Sequence, residues 1–182
     1  MKKTVVIFES KYGSTKRYAE WIAEELDCPI FERKRFRPED FAYYDTIIYG
    51  GGLYAGGVSG IKLLTRSQSL LKDKRVILFT CGLANPNDSK NVSHIRESLQ
   101  KALPPKQWEQ FEIFHVHGAI NYPKLSPIHR IMMAMMYKMI SKGDPAARTV
   151  EDVGFLETYG KQVDFTDKAY ISQIIEAATS ST

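Results

Sequence analysis

Cysteine is scarce in this chain of 182 residues, which contains only Cys28 and Cys81. The two cysteines fit no metal-ligand spacing, and the four histidines stand at no such spacing from a cysteine or an acidic residue, so we expect no bound metal. A domain of this size does not need a disulfide to fold. We therefore expect a protein of the reducing cytoplasm.

The chain also lacks a long hydrophobic run. Its first apolar run, residues 4–8, follows Lys2 and Lys3 and ends before Glu9. A signal-peptide core needs about 7–15 apolar residues and a membrane-spanning helix about 20. We therefore expect neither a secretion signal nor a transmembrane helix.

No segment is dominated by charge of one sign. The chain has 25 Lys and Arg against 21 Asp and Glu, a net charge of +4, and the charges are interspersed. No stretch alternates basic with aromatic residues as a nucleic-acid groove does, so we expect no nucleic-acid partner. With 43% hydrophobic residues, the chain is long enough for one well-buried domain, and we predict a single domain over residues 1–182.

Common nucleotide and phosphate motifs are missing. The chain has no Gly-x-x-x-x-Gly-Lys sequence of a nucleotide P-loop, and no Gly-x-Gly-x-x-Gly sequence follows the first apolar run. A receiver domain needs an acidic cluster after that run, and Glu9 alone does not provide one. The loop after the first apolar run also lacks the cysteine that a low-molecular-weight tyrosine phosphatase has there.

Residues 10–15 form a candidate phosphate-binding turn. They lie between the apolar run at residues 4–8 and a segment with helical apolar spacing that includes Ala19 and Ile22. A turn that leaves a strand and opens a helix points N–H groups and the positive end of the helix dipole at one small volume, which suits a phosphate. The alternative is that Ser14 or Thr15 only caps the helix. The candidate phosphate ligands are Ser10, Lys11, Tyr12, Gly13, Ser14 and Thr15.

Short apolar runs alternate with helical patterns along the chain. The predicted strands are residues 4–8, 29–31, 46–49, 75–80 and 111–116, the second of them at an edge. Four helices are predicted. The first follows the turn at residues 10–15, the second covers residues 57–71 and the third covers residues 92–102. The fourth closes the chain, with Thr166 as its N-cap. This alternation predicts a parallel sheet covered on both faces, with a ligand outside the carboxyl ends of the strands.

Glycines and tyrosines gather in the loops after the later strands. Glycines let backbone lie against a flat ring, and we expect Tyr54 and Tyr122 to stack on its faces. The alternative is that these glycines only make turns. The predicted ring site consists of Gly51, Gly52, Leu53, Tyr54, Ala55, Gly56, Thr80, Cys81, Gly82, Leu83, Asn85, Gly118 and Tyr122.

The pattern Ser10-x-Tyr12-Gly13-x-Thr15 resembles the FMN phosphate loop of flavodoxins, with Tyr12 in place of the usual threonine. The resemblance extends over most of the chain. It implies a flavodoxin-like α/β three-layer sandwich with a five-stranded parallel sheet of order 2-1-3-4-5 and FMN at the rim. It also implies that the loops at residues 50–57 and 80–85 flank the isoalloxazine ring.

A narrower resemblance lies further along the chain. Residues 118–124, a Met-rich segment at residues 128–140 and residues 163–167 resemble the flavodoxin-type, menaquinone-dependent protoporphyrinogen dehydrogenases. We therefore keep two hypotheses for the function. In the first, the protein is an electron carrier between a reductase and an acceptor enzyme. In the second, it dehydrogenates a porphyrinogen and passes the electrons to a quinone.

The Met-rich segment predicts an amphipathic helical insert at about residues 125–142. One face carries Ile128, Ile131, Met132, Met135, Met136 and Met139. Its length of about 20 Å is too short to cross a bilayer. Either the helix packs on the core, or its apolar face meets a partner protein, a quinone or the membrane surface as a peripheral contact. The sequence leaves three alternatives for residues 144–160, namely a helix, a lid and a partner-facing arm.

Overall fold

The computed structural model describes residues 3–54, 57–148 and 150–180. These residues form two compact units. The first unit extends to Gly118 and resumes at Thr166, and the second unit is Ala119–Phe165. The single domain predicted for residues 1–182 stays a prediction.

Strands and helices alternate through the first unit, and the second unit is mainly helical. The strands are β1 Thr4–Glu9, β2 Ile30–Glu32, β3 Thr46–Tyr54, β4 Gly57–Val58, β5 Arg75–Gly82, β6 Glu112–His117, β7 Ala119–Asn121 and β8 Gln162–Asp164. The helices are α1 Ser14–Glu25, α2 Lys62–Arg66, α3 Gln68–Leu71, α4 Ser89–Ala102, α5 Pro105–Gln110, α6 Pro127–Lys142, α7 Val150–Thr158 and α8 Ser172–Thr179. Short 3₁₀ helices occupy Arg33–Arg35, Pro38–Tyr43, Tyr122–Lys124, Pro145–Ala147 and Lys168–Ile171.

Five strands of the first unit form a parallel sheet in the order β2-β1-β3-β5-β6. Numbered among themselves, these strands have the order 2-1-3-4-5, so the predicted fold is confirmed. The additional strand β4 pairs antiparallel with the end of β3. β3 extends five residues beyond its predicted end at Tyr49, because Gly50, Gly51 and Gly52 continue the parallel ladder with β5.

Side chains alternate between the two faces of the sheet, and helices cover both faces. On one face the core combines strand residues with residues of α2, α3 and α4, namely Val5, Ile47, Tyr49, Leu78, Leu64, Leu71 and Leu99. On the other face it combines strand residues with residues of α1 and α8, namely Val6, Ile48, Phe79, Ile22 and Ile174. This burial on both faces explains why the strands read as continuous apolar runs.

The single helix predicted over residues 57–71 is wrong, because α2 and α3 are separated at Ser67. The backbone of Ser67 leaves the helical region, with φ −105° and ψ 27°. Gln107, on the unpredicted helix α5, donates its side-chain N–H to the Leu64 carbonyl oxygen at 2.8 Å. The apolar spacing continues across the break because both short helices bury the same face.

The closing helix also begins differently from the prediction. Thr166 is not its N-cap, because the carboxylate of Asp167 accepts the Ala169 N–H at 2.9 Å and a 3₁₀ turn then leads into α8. The Thr166 hydroxyl instead accepts a hydrogen bond from Arg17 Nη1 at 2.6 Å. Ile174, predicted to face inward, is fully buried.

Tyr18 of α1 joins two distant parts of the first unit. Its hydroxyl donates to the His117 carbonyl oxygen at 2.7 Å and accepts the Asp167 N–H at 3.0 Å. Burial raises the pKa of this phenol well above its usual range, so it stays protonated and able to donate. The end of β6 and the start of the closing segment are therefore held at one side chain.

The second unit contains the predicted Met-rich helix as α6. Strands β7 and β8 form an antiparallel pair, and α7 lies in the segment whose structure the sequence left open. α6 has no residue in the fully buried class, and both alternatives for its apolar face stay predictions. Within the described ranges, none of the helices combines the length and the apolar character needed to cross a membrane.

Replacing Gln107 by alanine tests the helix break at Ser67. Gln107 is fully buried, and Gln107→Ala removes the donor that pairs with the Leu64 carbonyl. We therefore expect the free energy of unfolding, measured by chemical denaturation, to fall by about 1–3 kcal/mol. Gln100→Ala, at an exposed position of α4, is the matched control and should change it by less than about 0.5 kcal/mol. Equal effects of the two substitutions would contradict this role of Gln107.

Candidate functional site

The junction of β1 and α1 leaves the N-terminal end of α1 open. Gly13 is the N-cap residue and has a left-handed backbone, with φ +98°. Gly13 itself has no side chain to cap α1, so neither Ser14 nor Thr15 is the N-cap residue, as the alternative required. An ideal Cβ on Gly13 would meet no heavy atom within 4 Å. Open space therefore lies beside this turn.

The turn is held by its own side chains. Ser10 Oγ accepts the Gly13 N–H at 3.0 Å, and Thr15 is only 2% exposed. The first turn of α1 contains no acidic residue and Lys11 precedes it in sequence, while Lys16 Nζ lies 3.5 Å from a carboxylate oxygen of Glu20. No acidic side chain in the first turn offsets the positive end of the helix dipole, which favours an anion here.

Two tyrosines connect the turn to the end of β3. The rings of Tyr12 and Tyr54 meet edge to face with centroids 6.0 Å apart, and Lys11 Nζ lies 5.9 Å from the centre of the Tyr12 ring. Burial raises the pKa of Tyr54 to about 12, although a hydrogen bond with the Lys11 backbone opposes this shift. The predicted phosphate turn and the loop after β3 are thus in direct contact.

The register of the parallel strands brings the other predicted loops to the same edge. Gly51 pairs with Glu9 on β1 and with Thr80 on β5, and Thr80 pairs with His115 on β6. One residue further along, Gly52 pairs with Cys81 on β5. The loops after β1, β3, β5 and β6 therefore begin side by side, as expected from the sequence.

Close packing between these loops explains their glycines. A Cβ on Gly82 would lie 2.9 Å from Leu53 Cδ1, and a Cβ on Gly118 would lie 3.0 Å from the Gly82 carbonyl oxygen. Side chains on Gly51 and Gly52 would likewise collide with neighbouring residues. Loop packing alone requires these glycines, so their presence does not by itself indicate a bound ring.

Two histidines at this edge are held neutral. His115 Nδ1 lies 2.7 Å from the hydroxyl of fully buried Thr80, and burial lowers the pKa of His115 to about 4. His117 Nε2 donates to the Leu83 carbonyl oxygen at 3.0 Å, and burial also lowers its pKa. At neutral pH the end of β6 therefore adds no positive charge to the edge.

The loop after β5 is shaped by Asn85. Its side-chain oxygen accepts the Asn87 N–H at 3.0 Å, and its carbonyl oxygen accepts a hydrogen bond from Asn91 Nδ2 at 3.1 Å. The thiol of Cys81, near the end of β5, is buried. Asn85 therefore fixes the course of the loop into α4.

Three of the predicted site residues are not placed at this edge by the described structure. Ala55 and Gly56 lie outside the described residues. Tyr122 belongs to the second unit, where its ring meets that of Tyr159 edge to face at 5.1 Å. Burial raises the pKa of Tyr122 to about 12.

A charged cleft of about 580 Å³ lies beside the phosphate turn and was not predicted. Its lining includes Glu9, Lys11, Arg33, Lys34 and Lys62, which come from three separate segments of the first unit. The basic residues at positions 33–35 were the available signal, but nothing in the sequence indicates which loops they meet. Among the described residues, no three His, Cys, Asp or Glu side chains form a group that could hold a metal ion.

Similar proteins were found in sequence and in structure. Protoporphyrinogen IX dehydrogenase (quinone) of Escherichia coli strain K12 is 20% identical over 144 residues, covering 75% of this chain and 80% of that protein. A short-chain flavodoxin associated with a non-canonical PDU bacterial microcompartment matches 64% of this chain and 84% of its own, at 17% identity and a TM-score of 0.45. A flavoprotein from Lactobacillus acidophilus NCFM, solved in complex with FMN, matches 64% and 93%, at 20% identity and a TM-score of 0.41.

A family model gives the assignment. The model described as "Flavodoxin domain" matches residues 5–147, well over half of the chain. The matched range includes the parallel sheet, the turn at Gly13 and the loops at the carboxyl edge. This chain therefore belongs to the flavodoxin domain family.

Proposed function

We propose that this protein binds FMN and transfers electrons through the bound flavin. The observation that carries the proposal is the N-terminal end of α1, where Gly13 has φ +98°, brings no side chain to the N-cap position and lies beside open space. The phosphate of FMN is an anion of the kind that such helix ends bind. Membership of the flavodoxin domain family supports the same cofactor.

In this proposal the phosphate and the ring are held by different segments. Residues 10–15 hold the phosphate through backbone N–H groups and the hydroxyl of Thr15. Residues 51–54 and 80–85, with Gly118, flank the ring.

FMN supplies the electron-transfer chemistry when it is bound, and the chain positions it. Leu53 and Leu83 offer apolar surface at the edge, with Leu83 38% exposed. His115 and His117 are neutral at pH 7, because burial lowers the pKa of both. The chain therefore offers uncharged groups to the ring at this edge.

The first candidate activity is electron transfer between proteins, from a reductase to an acceptor enzyme. The second is dehydrogenation of a porphyrinogen with a quinone as acceptor. The relative from Escherichia coli, whose name states this second activity, favours it, although only 20% of the aligned residues are identical. The exposed apolar face of α6 gives a docking surface for a redox partner in either case.

A cytoplasmic location is part of the proposal. Neither cysteine forms a disulfide, and Cys81 is buried. Burial raises the pKa of Cys28 to about 11, so this thiol is mostly unreactive at neutral pH. Cysteines remain outside disulfides in a reducing compartment.

Thr15→Ala tests the phosphate turn. Because a hydrogen bond to a charged phosphate is lost, we expect the dissociation constant for FMN to rise about 5- to 150-fold, which corresponds to about 1–3 kcal/mol. Thr179→Ala, at an exposed position of α8, is the control and should leave FMN binding unchanged. The measurement is a fluorescence titration of apoprotein with FMN, and unchanged affinity in Thr15→Ala would place the phosphate elsewhere.

The reduction potential of bound FMN tests whether the groups around its ring are uncharged. Uncharged groups disfavour the negative charge that the ring gains on full reduction. We therefore expect an anaerobic redox titration against a reference dye to give a potential below that of free FMN for full reduction. A potential equal to or above that of free FMN would contradict the proposed environment.

Steady-state turnover separates the two candidate activities. If the protein is a porphyrinogen dehydrogenase, it oxidises protoporphyrinogen with a menaquinone analogue as acceptor, and porphyrin fluorescence rises with time. If it is a carrier, that reaction fails and a flavodoxin reductase reduces the bound flavin rapidly. Thr15→Ala is the matched variant, because either activity should fall with its FMN occupancy and recover when excess FMN is added.

A further inference from the structure

The charged cleft lies on the face of the sheet opposite α1. Ile7 of β1 packs on the face that α2, α3 and α4 cover, whereas α1 covers the other face. Glu9 follows Ile7 by two residues along the same strand, so its side chain points to the same face. Among the described residues of the turn at 10–15, Ser10 and Lys11 line the cleft, but neither Gly13 nor any residue of α1 does. The cleft is therefore a different place from the proposed phosphate site of FMN.

Hydrogen bonds fix the wall of the cleft that follows β4. The Tyr49 hydroxyl donates to the Ser59 carbonyl oxygen at 2.9 Å, and the Ser59 N–H donates to the Gly52 carbonyl oxygen at 2.9 Å. Gly60 has a left-handed backbone with φ +70°, and a Cβ on it would lie 2.3 Å from Glu9 Oε2. The Glu9 carboxylate therefore lies against a preformed wall.

Charges of both signs line the cleft without all being paired. Lys34 Nζ lies 3.0 Å from Glu32 Oε1, so these two residues form an ion pair. Within the part of the chain that the structure describes, the side chains of Glu9, Arg33 and Lys62 form neither an ion pair nor a hydrogen bond. The cleft therefore holds a carboxylate and two cations apart, although charges this close in a fold commonly pair.

The buried phenol of Tyr49 shows that the two kinds of charge are near each other. Its pKa is raised above the usual range, first by burial and then by the negative charge of Glu9, whereas the positive charge of Arg33 lowers it. Both charged groups thus act on the same hydroxyl. One small ligand in the cleft can therefore contact both of them.

The lining determines which ligand chemistry fits. Arg33 has a planar guanidinium that can donate two parallel hydrogen bonds to a phosphate, and Lys11 and Lys62 add positive charge. Glu9 repels a ligand that is anionic throughout, but its carboxylate accepts hydrogen bonds from hydroxyl groups. None of the described residues that line the cleft is aromatic, so no ring offers a surface on which a base could stack. The volume of about 580 Å³ suits a small molecule.

We propose that the charged cleft binds a sugar phosphate. Arg33, with Lys11 and Lys62, binds the phosphate, and the Glu9 carboxylate accepts hydrogen bonds from the sugar hydroxyls. A free sugar phosphate and the phosphorylated ribose of a nucleotide share this chemistry. The site does not depend on FMN and stands apart from the proposed redox function.

Isothermal titration calorimetry with ribose 5-phosphate tests the cleft. The titration is run on apoprotein and on FMN-saturated protein, and we expect the same dissociation constant in both, because the cleft and α1 lie on different faces of the sheet. Arg33→Gln should raise this constant about 10- to 100-fold, since the phosphate loses a charged donor. Arg35→Gln is the matched control, because Arg35 is exposed and does not line the cleft, and it should change the constant less than about twofold.

Glu9→Met tests the contact with the sugar. We expect the unsubstituted protein to bind ribose 5-phosphate more than about tenfold tighter than inorganic phosphate, and Glu9→Met to reduce this preference below about threefold. The substitution removes the repulsion of both phosphates, so the ratio of the two dissociation constants isolates the hydrogen bonds of the sugar hydroxyls. Circular dichroism checks that each variant is folded.

Adenosine 5′-monophosphate distinguishes the two sources of the sugar phosphate. If it binds as tightly as ribose 5-phosphate, the cleft accepts the phosphorylated ribose of a nucleotide. If ribose 5-phosphate alone binds, the cleft accepts a free sugar phosphate. Binding of adenosine 5′-monophosphate without binding of ribose 5-phosphate would contradict the proposal, because the base would then supply the affinity.

Three further results would overturn the proposal. Ribose 5-phosphate binds neither apoprotein nor FMN-saturated protein, or Arg35→Gln weakens binding as much as Arg33→Gln, which shows only a general effect of surface charge. In the third, FMN excludes ribose 5-phosphate, which assigns the phosphate to the end of α1. FMN binding is measured separately, so a protein that binds no FMN is still tested through the titration of apoprotein.

Discussion

The structure depends most on the junction at which β1 turns into α1. The chain reverses there within a few residues, and only a residue that tolerates a left-handed backbone fits at Gly13. Because Gly13 occupies the N-cap position, no capping side chain stands in front of the helix dipole. The same residue that makes the sharp turn possible therefore also leaves the positive helix end available to an anion.

The parallel register places the other loops beside this junction. Glu9, Gly51, Thr80 and His115 form one row across four strands, so the loops that follow them share an edge. Packing between the loops then removes the room for side chains at Gly82 and nearby glycines. The edge is consequently dense and uncharged in its middle, while the cations lie at the turn and in the cleft beside it.

The strands and the turn between β1 and α1 were predictable because their signals are local. Strands buried on both faces read as apolar runs, and the turn combines glycine and hydroxyl residues at one junction. The break at Ser67 was not predictable, because the Gln107 side chain that pairs with Leu64 comes from a distant helix. Thr166 and Asp167 are adjacent and both suit an N-cap, so sequence alone could not choose between them.

The site shows the same division between local and distant causes. The positions of the loops follow from the strand order, which the alternating sequence pattern predicts. The neutral state of His115 does not follow from the sequence, because the pKa of His115 depends on burial between strands that meet only in the fold. The charged cleft joins residues from three segments, and no spacing in the sequence brings Glu9, Arg33 and Lys62 together.

The two hydrogen bonds of the Tyr18 hydroxyl show how the first unit is closed. They join His117, just before the second unit, to Asp167, just after it. The chain thus leaves and re-enters the first unit at two points that the Tyr18 hydroxyl joins, and all three residues belong to the first unit. Because the two ends of this excursion are held together within the first unit, a change of length between residues 119 and 165 need not disturb the hydrogen bonds of the sheet.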